Sequence, residues 1–221
     1  AQYMLLSESL IVPVPNGCSA DLAALTEPMA VGLHAVNKAQ LSGKETILII
    51  GAGPVGLAII TALKQINAGP IIVSDFSPGR RKLAEAIGAD IVIDPSKADP
   101  YKEPTLKKRE VVVIFECVGI PGMIDEIFLG APKNAKVMIA GVCLQKDYIR
   151  PLIAINKELS LHFLLGWSME EFTQSLRYIS EGKFDVSPLI TGRTSLDGVA
   201  STFEALATPN NQAKVLVKPW D

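Results

Sequence analysis

The sequence predicts an α/β fold built on a doubly wound parallel sheet. Three observations predict it. Short apolar runs alternate with stretches of helical period along most of the 221 residues. The runs beginning near residues 47 and 111 are continuous rather than alternating, as expected of strands buried on both faces. Residues 47–75, ILIIGAGPVGLAIITALKQINAGPIIVSD, read as strand, glycine turn, helix and second strand ending in Asp75.

That stretch organises the rest. Gly51, Gly53 and Gly56 at this spacing occur by chance in many chains, so the context carries the weight. An apolar strand precedes them, a helical period follows, and an acid stands about 20 residues further on. Gly51 permits a tight turn, Gly53 lets the main chain approach a pyrophosphate, and Gly56 lets the helix sit close on the strand. The helix start offers unpaired N–H groups and a positive dipole end to phosphates. Asp75 suits both hydroxyls of an adenosine ribose, and its charge repels a 2′-phosphate, which favours NAD over NADP. Two other readings of the stretch are weaker. The uncharged run 47–63 is close to the shortest membrane span, but its glycines and Pro54, with Glu45 and Lys64 as flanks, fit a buried strand–turn–helix better. A different adenosine ligand, such as a methyl donor, accounts less well for the third glycine and the strand-end acid.

At 48% hydrophobic residues the chain can bury a core for one domain, or one and a half. The net charge is −2 and the basic residues are scattered, so neither nucleic acid nor an anionic membrane is an expected partner. Cys18, Cys117 and Cys143 are odd in number and far apart, which fits the reducing cytoplasm and offers no disulfide framework. No basic segment precedes a short apolar one at the start, so no signal peptide is expected.

Taken in order, residues 3–14 alternate loosely and predict a strand or strand pair closed by Pro13 and Pro15. Ser19 predicts the cap of a short helix over 20–25, and Thr26 the cap of the next, with Pro28 in its first turn and Met29, Leu33 and Val36 on one face. Val55, Ile59, Ala62, Leu63 and Ile66 predict a helical stripe after the first strand. A second strand over 71–74 is followed by a helix that Ser77 and Pro78 open and Gly88 closes. A third strand covers 91–93, and residues 96–110, polar with Pro100 and Pro104, predict a surface connection. Strands over 111–115, 136–140 and 159–165, with a helix over 123–129, complete six strands in the expected order 3-2-1-4-5-6. Ser168 and Glu171 form a capping box for a helix ending near Gly182. Beyond it, residues 188–191, a helix over 196–206 and a strand over 214–218 read as a return to another unit.

Leu25-Thr26-Glu27-Pro28, Leu33-His34-Ala35-Val36, the glycine turn, Val73-Ser74-Asp75, Glu116-Cys117-Val118-Gly119, Gly141-Val142, Gly182-Lys183 and Lys214-Val215-Leu216-Val217 occur in a telling order. With them the chain resembles the zinc-type (medium-chain) alcohol dehydrogenase superfamily, above all its sorbitol, threonine and butanediol dehydrogenase branch. The resemblance implies a division into closing strands of a catalytic domain (1–24), a Rossmann NAD-binding domain (25–188) and a return to the catalytic domain (189–221). It implies that a GroES-like catalytic domain, carrying a zinc-binding Cys and a His-Glu pair, precedes this chain, so a truncated or proteolysed dehydrogenase is expected. A homo-oligomer, dimer or tetramer, is implied too.

The same resemblance assigns roles residue by residue. Glu27 matches an acidic residue at the catalytic zinc, as ligand or partner of the zinc-bound water. Without it, a helix-start glutamate simply offsets the dipole, and alone it cannot hold zinc, which takes about three protein ligands in catalytic sites. Asp75 matches the ribose acid and Arg80 a basic residue flanking adenine, though Arg80 also suits a solvated helix position. Pro54 and Val55 lie at the pyrophosphate, Val55 through its N–H. Cys117, Val118, Gly141, Val142, Leu165 and Gly166 fall at the carboxyl ends of strands four to six, where ligands of open sheets bind and the family's nicotinamide lies. Lys214 matches a basic residue reaching the cofactor phosphates, and a surface lysine is the equal alternative. Cys117 and Cys143 suit packing, and His34 and His162 suit structural roles. The branch's polyol-contacting Arg-Tyr pair reads Gly166-Trp167 here, which implies a less polar secondary alcohol; Trp167 also suits a core or subunit contact.

The implied function is NAD-dependent oxidation of a secondary alcohol or polyol to its ketone, with zinc lowering the pKa of the alcohol oxygen in the complete enzyme. The alternatives are a non-catalytic dinucleotide-binding module, or a zinc-free quinone-type reductase, which Glu27-Pro28 argues against.

Overall fold

The computed structural model describes residues 1–107, 111–206 and 212–221. Its centre is a six-stranded, all-parallel sheet in the order β3-β2-β1-β4-β5-β6. The strands are β1 (Thr46–Ile50), β2 (Ile71–Ser74), β3 (Ile91–Ile93), β4 (Val112–Glu116), β5 (Lys136–Ile139) and β6 (Ser160–Phe163). The predicted order and all six strands are present. A separate two-stranded parallel sheet pairs β7 (Ile190–Ser195) with β8 (Lys214–Lys218).

The alternation of side chains across the sheet explains the unbroken apolar runs. Ile47, Ile49, Val73, Val113 and Phe115 face one core, with Met29 and Leu33 of α2 (Thr26–Ala39) and Leu57 and Ile60 of α3 (Pro54–Gln65). Leu48, Ile50, Ile72, Ile114 and Val137 face the other, with Ile127 of α5 (Met123–Gly130). α2 and α3 approach closely because Gly32 has no side chain: a Cβ there would lie 2.6 Å from the Ala58 main chain. Ser19 caps α1 (Ala20–Ala23) and Ser77 caps α4 (Pro78–Ala86), both as expected. α7 (Met169–Ser180) starts with the predicted capping box, and α8 (Val199–Leu206) crosses from β7 to β8.

Several expectations are corrected. Residues 3–14 are not strands; they hold only a 3-10 turn, Glu8–Leu10, in an exposed segment. Their alternation is real, but a strand needs a ladder partner and none pairs with them among the described residues. Thr26 is not a cap: it is the first helical residue, and its hydroxyl donates back to the Ala23 carbonyl at 2.7 Å. The α3 stripe is too narrow, since residues 56–63 are buried all round whereas Ile66 is half exposed. The connection 96–110 is partly built in: it contains two 3-10 turns that bury Pro100 and Leu106, while residues 108–110 lie outside the described ones. The helix α6 (Pro151–Lys157) was not foreseen, because Leu152 and Ile155 face solvent and leave no core-facing period. No helix among the described residues is long and apolar enough to cross a membrane.

One carboxylate ties the two flanking helices together. Glu171 Oε2 accepts from the Ser168 amide within the capping box and lies 2.8 Å from His34 Nδ1, while Oε1 accepts from Asn37 Nδ2 at 3.0 Å. Partial burial works to raise its pKa, but the Ser168 amide, Asn37 and His34 outweigh it and hold the carboxyl at about 2. A depressed carboxyl contributes stability that is present above its unfolded value, 4.5, and lost as pH falls towards 2. Glu171→Gln is therefore expected to cost about 1–2 kcal/mol near neutral pH, with the deficit shrinking as pH falls from 4.5. Denaturation across that range measures it, and a deficit that stays constant with pH would contradict the clamp.

Candidate dinucleotide site

The carboxyl ends of β1, β2 and β4 surround a crevice of about 440 Å³. Its walls include Gly51, Gly53 and Pro54 from the glycine turn, Asp75, Phe76 and Arg80 after β2, and Cys117, Val118 and Ile120 after β4. The turn is shaped as its residues predict. Gly51 has φ +95°, and a Cβ on it would strike Val118 Cγ2 at 2.8 Å. A Cβ on Gly53 would meet nothing within 4 Å, so bare main chain faces open space there. A Cβ on Gly56 would lie 2.1 Å from the Gly51 carbonyl oxygen, so only glycine lets α3 descend onto β1. No side chain caps α3, which leaves the amides of its first turn without a protein side-chain partner.

Asp75 is buried at the tip of β2. Its Oδ2 accepts from the Ala52 amide at 2.8 Å and its Oδ1 from the Ser77 amide at 2.7 Å. The carboxylate thus ties the glycine turn to the β2–α4 turn, and each oxygen keeps acceptor capacity towards the crevice. Arg80 lines the crevice, and its Nε is buried without a hydrogen-bond partner among the described residues. Its neighbour Arg81 instead braces the turn: Nη1 donates to the carbonyls of Asp75 and Phe76, and Nη2 pairs with Asp94 at 3.0 Å. Sequence reasoning missed this clamp, since adjacent helix arginines carry no mark of which turns inward.

Glu116 stands in a matched motif, but its role was missed. It is a buried acid at the end of β4, and Oε1 accepts from the Val118 amide at 2.6 Å and the Gly119 amide at 2.8 Å. It thereby fixes the wall that touches Gly51. The signal available was an acid closing an apolar strand and followed by a glycine. Burial, with the Glu116 charge beside it, pushes the Cys117 thiol well up, which suits packing rather than nucleophilic chemistry.

The remaining expected residues lie outside the crevice walls. Val55 and Gly56 belong to the first turn of α3 behind the glycine turn. Gly141 packs against Glu116 and Gly119 at the end of β5, and Val142, Leu165 and Gly166 are exposed beyond β5 and β6. Lys214 is half buried in β8, where its carbonyl accepts from the Thr191 hydroxyl. Glu27 is exposed on α2 and accepts from Trp167 Nε1 at 3.2 Å; the indole ring in turn leans on Phe172. Two residues singled out separately thus meet. The described residues contain no group of three or more His, Cys, Asp or Glu side chains arranged to hold a metal. His34 is held by Glu171 and His162 is exposed on β6.

The glycine geometry sets an asymmetric expectation. Gly56→Ala should lower the melting temperature by about 4 °C or more, because the main-chain clash outweighs the gain in helix propensity. Gly53→Ala, placed in open space, should leave it within about 2 °C. Thermal melts of both variants measure this, and equal losses would refute the assignment of the two glycines.

Comparison with known proteins agrees with the fold. The zinc-binding dehydrogenase family matches residues 54–181, more than half of the chain. The chain is 31% identical to a Bacillus subtilis (R,R)-butanediol dehydrogenase and 30% identical to a sorbitol dehydrogenase of the same organism, in each case over 99% of its length. It spans only 64% and 63% of those two relatives. The galactitol-1-phosphate dehydrogenase structure from Escherichia coli superposes with a TM-score of 0.88 at 25% identity, over 99% of this chain and 66% of that one. On this match, the chain belongs to the zinc-binding dehydrogenase family.

Proposed function

We propose that the chain is the NAD-binding part of a dehydrogenase that interconverts a secondary alcohol or polyol and its ketone. The observation that carries the reading is the crevice itself, in which a bare glycine turn stands beside a strand-end carboxylate. A dinucleotide fits these residues. The open space at Gly53 admits a diphosphate, and the uncapped start of α3, opened by Pro54, offers it the amides of Val55 and Gly56 and a dipole. Asp75, with one protein amide on each oxygen, can still accept both ribose hydroxyls. Arg80, which lines the crevice with Asp75, Phe76 and Ser77, brings a cation to the adenosine end.

NAD, when bound, supplies the hydride acceptor. The chain's own residues grip its diphosphate and ribose and shelter its adenosine. The nicotinamide half would extend over Val118, Gly141, Val142, Leu165 and Gly166 along the ends of β4 to β6. Zinc does not fit the described residues, since Glu27 belongs to no group of three or more His, Cys, Asp or Glu side chains among them. A zinc centre in the whole protein would draw its other ligands from elsewhere in that protein. The names of the relatives support a diol or sugar alcohol as substrate class, and Gly166-Trp167 supports the less polar end of that range. Three free cysteines support a cytoplasmic setting.

Calorimetric titration of the chain tests the cofactor assignment. NAD is expected to bind at least about tenfold more tightly than NADP, and Asp75→Ala to weaken NAD by about tenfold and erase the preference. Equal binding of both by the unmodified chain would leave Asp75 without a part in cofactor choice.

A homo-oligomer belongs to the same reading. β6 is an edge strand of the sheet among the described residues, and Phe163 at its end and Leu165 just after it are 71% and 90% exposed, a combination suited to pairing with a second copy. Light scattering is expected to give at least a dimer, reduced to a monomer by Phe163→Lys. A monomeric unmodified chain at micromolar concentration would count against it.

A further inference from the structure

The crevice is lined in part by residues that the glycine turn does not explain. Pro95, Pro100, Ile120 and Met123 form largely apolar walls there, and Glu126 of α5 is the acid among them. Glu126 lies in the first turn of α5, where a carboxylate also offsets the helix dipole. Its neighbour Asp125 already serves the fold, bound to the main chain and guanidinium of Arg150. Glu126 has no hydrogen-bond or ion-pair partner among the described residues, and the nearby Tyr101 hydroxyl, which feels its charge, is buried and unpartnered too. An acceptor-only group among largely apolar walls suits a largely apolar ligand with a donor on its edge, and a purine base is one.

Resting on the NAD reading above, we propose that Glu126 is a specificity residue that accepts a hydrogen bond from the exocyclic amine of adenine. The base lies between the proline wall and the Ile120–Met123 wall, with its amino edge towards the carboxylate. Replacing that amine by a carbonyl sets acceptor against acceptor. The ring N–H that such a base carries instead lies one ring position away, and reaching it requires the base to shift from that position. Glu126 is exposed, so its replacement does not open the core.

The experiment compares NAD with nicotinamide hypoxanthine dinucleotide, by calorimetry on the 221-residue chain and on Glu126→Gln and Glu126→Ala. The unmodified chain is expected to favour NAD by about tenfold, the scale of one hydrogen bond to a charged acceptor. Glu126→Ala should bring the ratio close to one by weakening NAD alone. Glu126→Gln, whose amide can donate to the carbonyl of the analogue, should bring it to one or below. Melting curves that match the unmodified chain confirm that both variants are folded. If NAD binds but the analogue binds equally well, the inference falls and the NAD reading stands; a ratio unmoved by either substitution has the same result. If neither dinucleotide binds, both fall together.

Discussion

One oxygen atom governs the ligand end of the sheet. The carbonyl of Gly51 occupies the position from which any side chain at residue 56 would have to grow. α3 can therefore start directly above β1 only because residue 56 is bare. That placement leaves the first amides of α3 over open space at Gly53 and sets Ala52 within reach of Asp75. Val118 then packs on Gly51, and Glu116 holds Val118 by its amide. Each contact in this series depends on the one before, so the crevice is a product of close main-chain packing rather than of a chance gap between loops.

The sheet supplies the rigidity that such packing needs. Its central strands are buried on both faces and divide their side chains between two cores. Lysines close the helix ends around it: Lys136 Nζ donates to the Ala39 carbonyl at the end of α2, and Lys157 Nζ to three carbonyls at the end of α5. These cations sit where a helix dipole is negative, and they satisfy carbonyls left over by the helix geometry. The glycine turn is thus mounted on strands that have little freedom to move.

Much of this was legible in the chain. Unbroken apolar runs marked β1 and β4, and Ser19, Ser77 and Ser168 marked helix starts, because caps and doubly buried strands are local in sequence. Gly51, Gly53 and Asp75 were legible as parts of one site for the same reason, since strand, turn and helix follow one another directly. What was not legible depends on long-range placement. Residues 3–14 alternate like a strand, yet alternation does not supply a partner to pair with. The choice between Arg80 and Arg81 turns on which side of α4 meets the β2 turn. The meeting of Glu27 with Trp167 joins residues 140 positions apart, and no local pattern announces it.

The clamp of Glu171 on His34 has a consequence for how the protein comes into being on the ribosome. The core beneath α2 is not finished by the sheet that follows it: Ile179, Phe184, Val186 and Leu189 belong to it alongside Leu25, Met29 and Leu33. α2 therefore waits, its inward face incompletely covered, until the segment from α7 to Leu189 has been translated. Only the arrival of α7, 137 residues after its partner, closes the seam.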